Sequence, residues 1–218
     1  LKEGNTRINV KLKGKVETEI NARGPKITEN DILKLYEKLD RISDGDTLVL
    51  AGSVPNGLPK DIYEKILSRL SGKGIRFAVD ATGELLTNVL KYHPFLIKPN
   101  RSELEEIVSR ELSSDKEIAS AATELKQKGA VNVLVSLGGD GALLVDEFGK
   151  VHREKAVAGK VINTVGSGDS MVAGFLVGAE KGYEHALRLG SAAGSATAFS
   201  SGLAGKQEIM DIYRKIRT

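Results

Sequence analysis

Short apolar runs alternate with helix-like stretches from Thr47 onward. Runs of this length are typical of buried strands, and the stretches between them repeat apolar residues every three or four positions. Because strands and helices alternate along the chain, we expect an α/β fold in which helices cover a largely parallel sheet. The predicted strands cover residues 47–53, 76–81, 95–98, 131–137 and 142–146.

Polar capping residues mark the expected helix starts. Thr28 precedes one amphipathic pattern and Pro59 opens another. Ser114 and Glu117 form a capping-box pattern ahead of an alanine-rich helix that ends at Gly129. Further helices are predicted over about 167–181, over about 184–200 and from Lys206 onward.

The N-terminal stretch follows a different pattern. In residues 5–22, apolar residues such as Ile8, Val10 and Leu12 alternate with polar ones, and Gly14 separates this stretch from a second alternating one. This pattern predicts an antiparallel ribbon outside the main sheet. We therefore expect a partial β lid over residues 1–24 and an α/β domain over residues 25–218.

Composition excludes several classes of protein. The 218 residues include no cysteine, which rules out disulfides, thiolate zinc sites and a cysteine nucleophile and favours a cytoplasmic location. No apolar run reaches the roughly 20 residues of a membrane span, so we expect no membrane partner. The net charge of +3 is spread along the chain without a basic block, so nucleic acid is not an expected partner either.

The run NTVGSGDS at 163–170 precedes a small and apolar stretch that predicts a buried helix. The first amides of a helix have no partners and attract phosphate oxygens, and Gly166 and Gly168 let a ligand approach that backbone. Asp169 can accept a proton from a substrate hydroxyl there while the amides hold a transferring phosphoryl group. In the alternative interpretation, Asp169 only caps the helix and the glycines only form a turn.

The run NTVGSGDSMVAGF resembles the C-terminal motif of the ribokinase-like carbohydrate kinases, in their phosphofructokinase B branch, whose usual form is D/N-T-x-G-A-G-D. Ser167 stands where alanine is commoner, which leaves the backbone donors intact. Other matching segments follow in the family's order and together span nearly the whole chain: TRINVKL, LAGSVPNGLP, VDATGE, KPNRSELEE, VSLGGDGALL and RLGSAAGSATAFSSG.

The resemblance implies a ribokinase-like three-layer sandwich with a largely parallel central sheet and part of a small β lid, through which such chains pair as homodimers. It also implies ATP-dependent phosphorylation of a sugar phosphate. Since the motifs are most similar to those of bacterial 1-phosphofructokinases, we expect conversion of fructose 1-phosphate to fructose 1,6-bisphosphate. Tagatose-6-phosphate or fructose-6-phosphate kinase activity is the alternative, and a catalytically incomplete nucleotide-binding or dimerisation fragment is the alternative of another class.

The family's residue roles transfer to matching positions here. Asp169 would be the catalytic base, and the amides of 166–169 (Gly166, Ser167, Gly168 and Asp169) would hold the phosphoryl group. Asn100 and Glu103 match the N-x-x-E motif and would arrange Mg²⁺, partly through water, although the same residues also begin a capped helix well. The implied ATP-binding residues are Ser136, Gly138, Gly139, Gly141, Lys160, Ser191 and Gly194.

Several of these ATP-binding positions have plainer interpretations. The glycines of VSLGGDGALL also suit a hairpin turn between two strands. Lys160 also fits a solvated charge. The small residues around Ser191 and Gly194 also suit close packing between helices.

On the sugar side, the resemblance assigns the substrate's existing phosphate to Arg7 and Ser53. A guanidinium group suits phosphate oxygens, and Ser53 ends a predicted strand, where open α/β sheets bind ligands. Ser53 is otherwise an ordinary turn serine before Pro55. Asp80 also ends a predicted strand and supports the site. Family members carry a further N-terminal segment, which completes the sugar pocket, so we expect this chain to be a fragment that retains the nucleotide half.

Overall fold

The structure is a computed structural model that describes residues 5–12, 18–22, 24–55 and 57–216. Its contacts divide the chain into two compact units. Unit 1 comprises residues 1–46 and 53–75, and unit 2 comprises residues 47–52 and 76–218. The division predicted at residue 24 stays a prediction.

Unit 1 contains the N-terminal ribbon and two helices. Strands β1 (Asn9–Leu12) and β2 (Thr18–Asn21) pair antiparallel, which confirms the expected ribbon. The predicted break at Gly14 lies outside the described residues. Helix α1 (Glu29–Leu39) is capped by Thr28 as predicted, whereas α2 (Ile62–Leu70) begins three residues after Pro59.

Unit 2 contains a six-stranded sheet of order β3-β4-β5-β6-β7-β8. Strands β3 to β6 are parallel, and β7 and β8 are added antiparallel at one edge. The five predicted strands are confirmed with shorter bounds, whereas β8, a short and mostly polar edge strand, was not predicted. The bounds are β3 Thr47–Ala51, β4 Arg76–Asp80, β5 Leu96–Ile97, β6 Asn132–Ser136, β7 Ala142–Val145 and β8 Val151–Glu154.

Helices cover both faces of this sheet. Leu134 and Leu144 share one buried cluster with Phe175 and Leu187 of two helices, while Val133 is equally buried and points to the opposite face. The α/β class and the three-layer arrangement are therefore confirmed. The helices of unit 2 are α3 Gly83–Thr87, α4 Arg101–Val108, α5 Asp115–Gln127, α6 Ser167–Gly178, α7 Tyr183–Ala198 and α8 Lys206–Ile216.

Glycines allow α6 and α7 to pack closely. A Cβ atom at Gly174 would lie 2.8 Å from the Leu189 carbonyl oxygen, and one at Gly190 would lie 2.8 Å from the Met171 carbonyl oxygen. Small residues at these positions fix α6 against α7, as the glycine-rich pattern predicts. None of the helices in the described part of the chain is long and apolar enough to cross a membrane.

Candidate active site

The site is built where the parallel strands of unit 2 end. Asp80 is the last residue of β4, Lys98 directly follows β5, and Ser136 is the last residue of β6. Because parallel strands present their carboxyl ends at one edge, side chains from different strands converge there.

The start of α6 lies at this edge and has no side-chain cap. Its N-cap residue Gly166 has φ +81°, a left-handed conformation that favours glycine. The Ser167 amide donates to the Thr164 carbonyl oxygen at 3.2 Å. Among the described residues, by contrast, nothing accepts a hydrogen bond from the amides of Gly168 and Asp169. Two backbone donors at the positive end of the helix are therefore open to a ligand.

The Asp169 side chain occupies the third position of α6 and is exposed. No described residue donates a hydrogen bond to its carboxylate or forms an ion pair with it, and Gly166 offers no capping side chain in return. The carboxylate is therefore free to accept a proton, and the alternative interpretation, in which Asp169 only caps the helix, has no hydrogen bond to support it.

A buried ion pair lies beneath this turn. The Lys98 ammonium is 3.1 Å from Oδ1 of Asp80, and the two side chains are only 7% and 18% exposed. Burial raises the pKa of the Asp80 carboxyl, Lys98 opposes this rise, and the charges of Asp169 and Glu103 reinforce it. The Asp80–Lys98 pair therefore lies within the electrostatic influence of two further carboxylates.

Gly168 is the point at which the turn meets this ion pair. A Cβ atom at Gly168 would lie 3.2 Å from Nζ of Lys98 and 3.8 Å from Oδ2 of Asp80. The glycine that leaves the α6 amides accessible therefore also makes room for the lysine. Lys98 was absent from the predicted site, although a lysine at the end of the apolar run FLIK was the available signal.

A cavity of about 650 Å³ extends from the start of α6. It is walled by the turn between β6 and β7, by the segment before α6 and by one face of α7. Six of the seven predicted ATP-binding residues line it, together with Lys98, Asn100, Ser167 and Gly168; the six are Ser136, Gly138, Gly139, Gly141, Ser191 and Gly194. Lys160 is exposed between two lining residues and does not line the cavity itself.

Two hydroxyl groups in this cavity have unused hydrogen-bonding capacity. Oγ of Ser167 and Oγ of Ser191 are both buried, and neither has a hydrogen-bond partner among the described residues. A buried hydroxyl group without a partner is destabilising, so such groups point to a ligand that supplies the missing bond. The cavity therefore offers two hydroxyl groups to a polar ligand.

Several lining residues also have a plain structural role. Gly141, at φ +98°, lies so close to the Glu154 carbonyl oxygen that a Cβ atom would collide with it. Gly194 packs against the start of α6, where a Cβ atom would be 3.1 Å from the Ser167 carbonyl oxygen. The hairpin turn and the close helix packing are both real, and the same residues form the cavity wall.

Asn100 and Glu103, the predicted magnesium residues, form a capping box at the start of α4. The Glu103 amide donates to Oδ1 of Asn100 at 2.9 Å, and the Asn100 amide donates to Oε2 of Glu103 at 2.8 Å. No described group donates to Oε1 of Glu103. The negative charge of Glu103 helps to raise the pKa of Asp80, and its one free carboxylate oxygen fits an ion that keeps most of its ligands as water and phosphate oxygens.

The predicted sugar-phosphate residues meet within unit 1. Nη1 of Arg7 donates to Oγ of Ser53 at 3.2 Å, and Nε of Arg7 donates to Oδ1 of Asn9 at 2.9 Å. These bonds orient the guanidinium group and bring together two side chains that are 46 residues apart in sequence. Their assignment to a phosphate stays a prediction.

The sequence profile of the pfkB family of carbohydrate kinases matches residues 1–210. The chain belongs to this family. Kinases of the pfkB family use ATP, and the relatives below confirm the expectation of a sugar-phosphate kinase.

The chain is 42% identical to the 1-phosphofructokinase of Bacillus subtilis over 217 residues, which cover 99% of this chain and 71% of that protein. It is 40% identical to the D-tagatose-1-phosphate kinase of Bacillus licheniformis over 204 residues, or 92% of this chain and 67% of that protein. These relatives are therefore longer than the pfkB chain described here.

Solved structures agree with this assignment. The structure of phosphofructokinase-2 from Escherichia coli in complex with potassium superposes with a TM-score of 0.88 at 32% identity, covering 99% of this chain and 72% of that one. Ribokinase from Arabidopsis thaliana, complexed with ribose and ATP, has a TM-score of 0.69 at 21% identity, covering 91% and 65%. The second likeness shows the fold alone, which is ribokinase-like as expected.

Proposed function

We propose that this chain carries the phosphoryl-transfer site of an ATP-dependent 1-phosphofructokinase, which converts fructose 1-phosphate to fructose 1,6-bisphosphate. One observation carries the proposal: the start of α6 presents two open amides and the unpartnered carboxylate of Asp169 beside a nucleotide-sized cavity. This arrangement suits a reaction in which one group takes a proton while fixed donors hold a phosphoryl group.

In the proposed reaction, ATP lies in the cavity with its terminal phosphate at the start of α6. Asp169 accepts the proton of the sugar hydroxyl, and the hydroxyl oxygen attacks the terminal phosphorus. The bond between that phosphorus and the bridging oxygen breaks, and ADP leaves with the electron pair. The amides of Gly168 and Asp169 stabilise the charge on the transferring group, while Ser167 and Ser191 offer the cavity's unpaired hydroxyls to the nucleotide.

Mg²⁺ is part of this proposal. Asn100 and the free oxygen of Glu103 would hold it, mainly through water, and the ion would neutralise the negative charge of the ATP phosphates. The chain's own part is to keep the Glu103 carboxylate in a fixed orientation, which the capping box with Asn100 achieves.

Arg7 and Ser53 are proposed to bind the phosphate that the sugar already carries. The Arg7 guanidinium group is oriented by Asn9 and Ser53, and a fork of N–H donors suits phosphate oxygens. The identity of the sugar rests on the relative named 1-phosphofructokinase. The relative named D-tagatose-1-phosphate kinase favours tagatose 1-phosphate as the second candidate substrate.

The exposed apolar face of the ribbon supports a homodimer formed through the lid. Ile8, Val10, Leu12 and Ile20 are each at least 43% exposed, and Val10 lies directly opposite Ile20. A second copy would remove these side chains from water. Sedimentation at micromolar concentration should give a dimer for the chain and a monomer for Val10→Asp, and a purely monomeric parent chain would contradict the pairing.

Two measurements test the proposed activity. Calorimetric titration with ATP and Mg²⁺ should give saturable binding, and a coupled assay should detect ADP release that depends on fructose 1-phosphate. Tagatose 1-phosphate and fructose 6-phosphate serve as competing substrates. Binding without turnover would favour a nucleotide-binding module that lacks part of the sugar site, and a folded chain without ATP binding would remove the proposal.

A further inference from the structure

We propose that Thr197, a buried residue near the end of α7, is a positioning residue that holds the Asp169 carboxylate in place through Ser170. This inference rests on the proposed function and deepens it, because it names what orients the group that takes the proton. The side chains concerned lie outside the nucleotide site: neither Thr197 nor Ser170 is among the described residues that line the cavity beside α6.

The hydrogen bonds of Thr197 are the first argument. Its hydroxyl oxygen is 2.9 Å from the hydroxyl oxygen of Ser170, and either group can donate this hydrogen bond. Ser170 directly follows Asp169 in α6. The amide of Ala204, which lies beyond the end of α7, also donates to the Thr197 hydroxyl oxygen, at 3.3 Å. One side chain of α7 therefore joins the start of α6 to the segment that follows α7.

The second argument is that the end of α7 holds the turn from both sides. The Ala198 carbonyl oxygen accepts hydrogen bonds from the amides of Ile162 and Asn163, at 2.8 and 3.1 Å. These residues precede the turn, whereas Ser170 directly follows Asp169. The chain between Asn163 and Ser170 is therefore anchored to α7 at both ends. The anchor at Ser170 is formed by side chains, so a substitution can remove it without touching the backbone.

The burial of Thr197 is the third argument. The side chain is 1% exposed, and the small residues around it on α7 pack closely against α6. An apolar side chain of the same shape would fill this space, and the net contribution of one hydrogen bond to stability is modest. The hydroxyl group adds direction, because a hydrogen bond weakens steeply when its geometry is distorted. The bond to Ser170 therefore restricts how the first turn of α6 can rotate, and this rotation decides where the Asp169 carboxylate points.

The first test measures kcat and the KM for ATP separately. Thr197→Val keeps the shape of the side chain but removes its hydroxyl group. We expect kcat to fall about tenfold, because a small displacement of a catalytic group lowers the rate, and we expect the KM for ATP to stay within about twofold. Thr197→Ser retains the hydroxyl group and should have a kcat within about twofold of that of the parent chain.

Ser170→Ala separates the bond to α6 from the bond to Ala204, because it removes only the first of them. It should lower kcat as much as Thr197→Val does, and the two changes together should lower kcat no further. Thr123→Val in α5 is the matched control, since the Thr123 hydroxyl group donates within its own helix, to the Ala119 carbonyl oxygen. This control should leave kcat and the KM for ATP unchanged.

Two further measurements separate positioning from a merely structural role. When Thr197→Val is combined with Asp169→Asn, we expect no further loss of the residual turnover, because Thr197 acts through that carboxylate. Amide hydrogen exchange does not depend on turnover. It should become faster over residues 166–172 in Thr197→Val and in Ser170→Ala, but not in Thr197→Ser.

Three outcomes would overturn the inference. The first is a kcat in Thr197→Val equal to that of the parent chain. The second is an equal loss of turnover with Asp169 and with Asn at that position, which would mean that Thr197 does not act through the carboxylate. The third is unchanged hydrogen exchange over residues 166–172. All three leave the proposed function intact. If the folded parent chain has no turnover, the proposed activity fails instead, and hydrogen exchange alone then decides whether Thr197 holds the turn.

Discussion

Helices α5 and α6 are of similar length, lie in the same unit and begin in opposite ways. At the start of α5, the Ser114 hydroxyl accepts from the Glu117 amide, and the Glu117 carboxylate accepts from the Ser114 amide. At the start of α6, the corresponding third residue is Asp169, but Gly166 has no side chain to complete a capping box. The carboxylate at the third helical position is therefore hydrogen-bonded in a capping box in α5 and is without such a partner in α6.

This difference shows that the first turn of a helix can either be satisfied by its own cap or be left accessible to a ligand. A capping box satisfies the first amides of a helix and typically contributes about 1 kcal/mol to its stability. Helix α6 lacks this contribution, but its mostly apolar residues pack into the core and α7 lies closely against one side of it. Close packing along its length allows α6 to leave its first turn unsatisfied for a ligand.

The largest expected effect comes from replacing the carboxylates of Asp169 and Glu117 with amides, one at a time. Asp169→Asn should lower kcat at least about a hundredfold and leave ATP affinity within about threefold, because in the proposed reaction the group takes a proton and does not hold the nucleotide. Its thermal midpoint should not fall. Glu117→Gln, the matched change in α5, should lower the thermal midpoint and leave kcat unchanged. Steady-state kinetics of both variants measure kcat, and thermal melts measure their midpoints.

A smaller effect is expected at the contact between α6 and α7. Gly190→Ala places a methyl group against the Met171 carbonyl oxygen, and such overpacking typically costs about 1–3 kcal/mol of unfolding free energy. Gly202→Ala is the matched control, because no atom lies within 4 Å of its Cβ position. Chemical denaturation measures both, and equal stabilities would mean that close packing does not hold α6.

The smallest expected effect is the pH dependence that Glu117 contributes at the start of α5. Hydrogen bonds from the Ser113 amide and from Ser114 lower the pKa of Glu117. A lowered folded-state pKa stabilises the fold above the unfolded value of about 4.3, and this stability is lost as the pH falls through the folded value. The denaturation midpoint of Glu117→Gln should therefore fall less steeply toward acid pH than that of the parent chain, and parallel curves would contradict the assignment.

Most of the fold could be predicted because local signals agree with it. The buried strands are mostly apolar, and Thr28 and Ser114 mark helix starts that tertiary packing leaves unchanged. β8 was missed because a short edge strand needs few apolar residues. The start of α2 was predicted three residues too early, at Pro59, because a proline allows a helix to start without requiring it.

The site was less predictable from the sequence than the fold. The glycine-aspartate turn is contiguous, so the pattern alone indicated both the open amides and the carboxylate. Lys98 was missed because its position beside the α6 turn arises from the spatial approach of β5 to Gly168, which no sequence spacing encodes. Asn100 and Glu103 show the converse problem, because one pattern serves as a helix cap and as a candidate ion site.

The packing of α6 against α7 links ligand binding to turnover, two properties that are often separable in enzymes. Ser191 and Gly194 of the cavity beside α6 belong to α7, and the Asp169 turn begins the helix that α7 holds in place. Heat or denaturant that separates these two helices would therefore disable the proposed nucleotide site and the proposed catalytic turn in a single step. Inactivation curves followed by ligand binding and by turnover should coincide, with no intermediate that still holds ATP but has lost its chemistry.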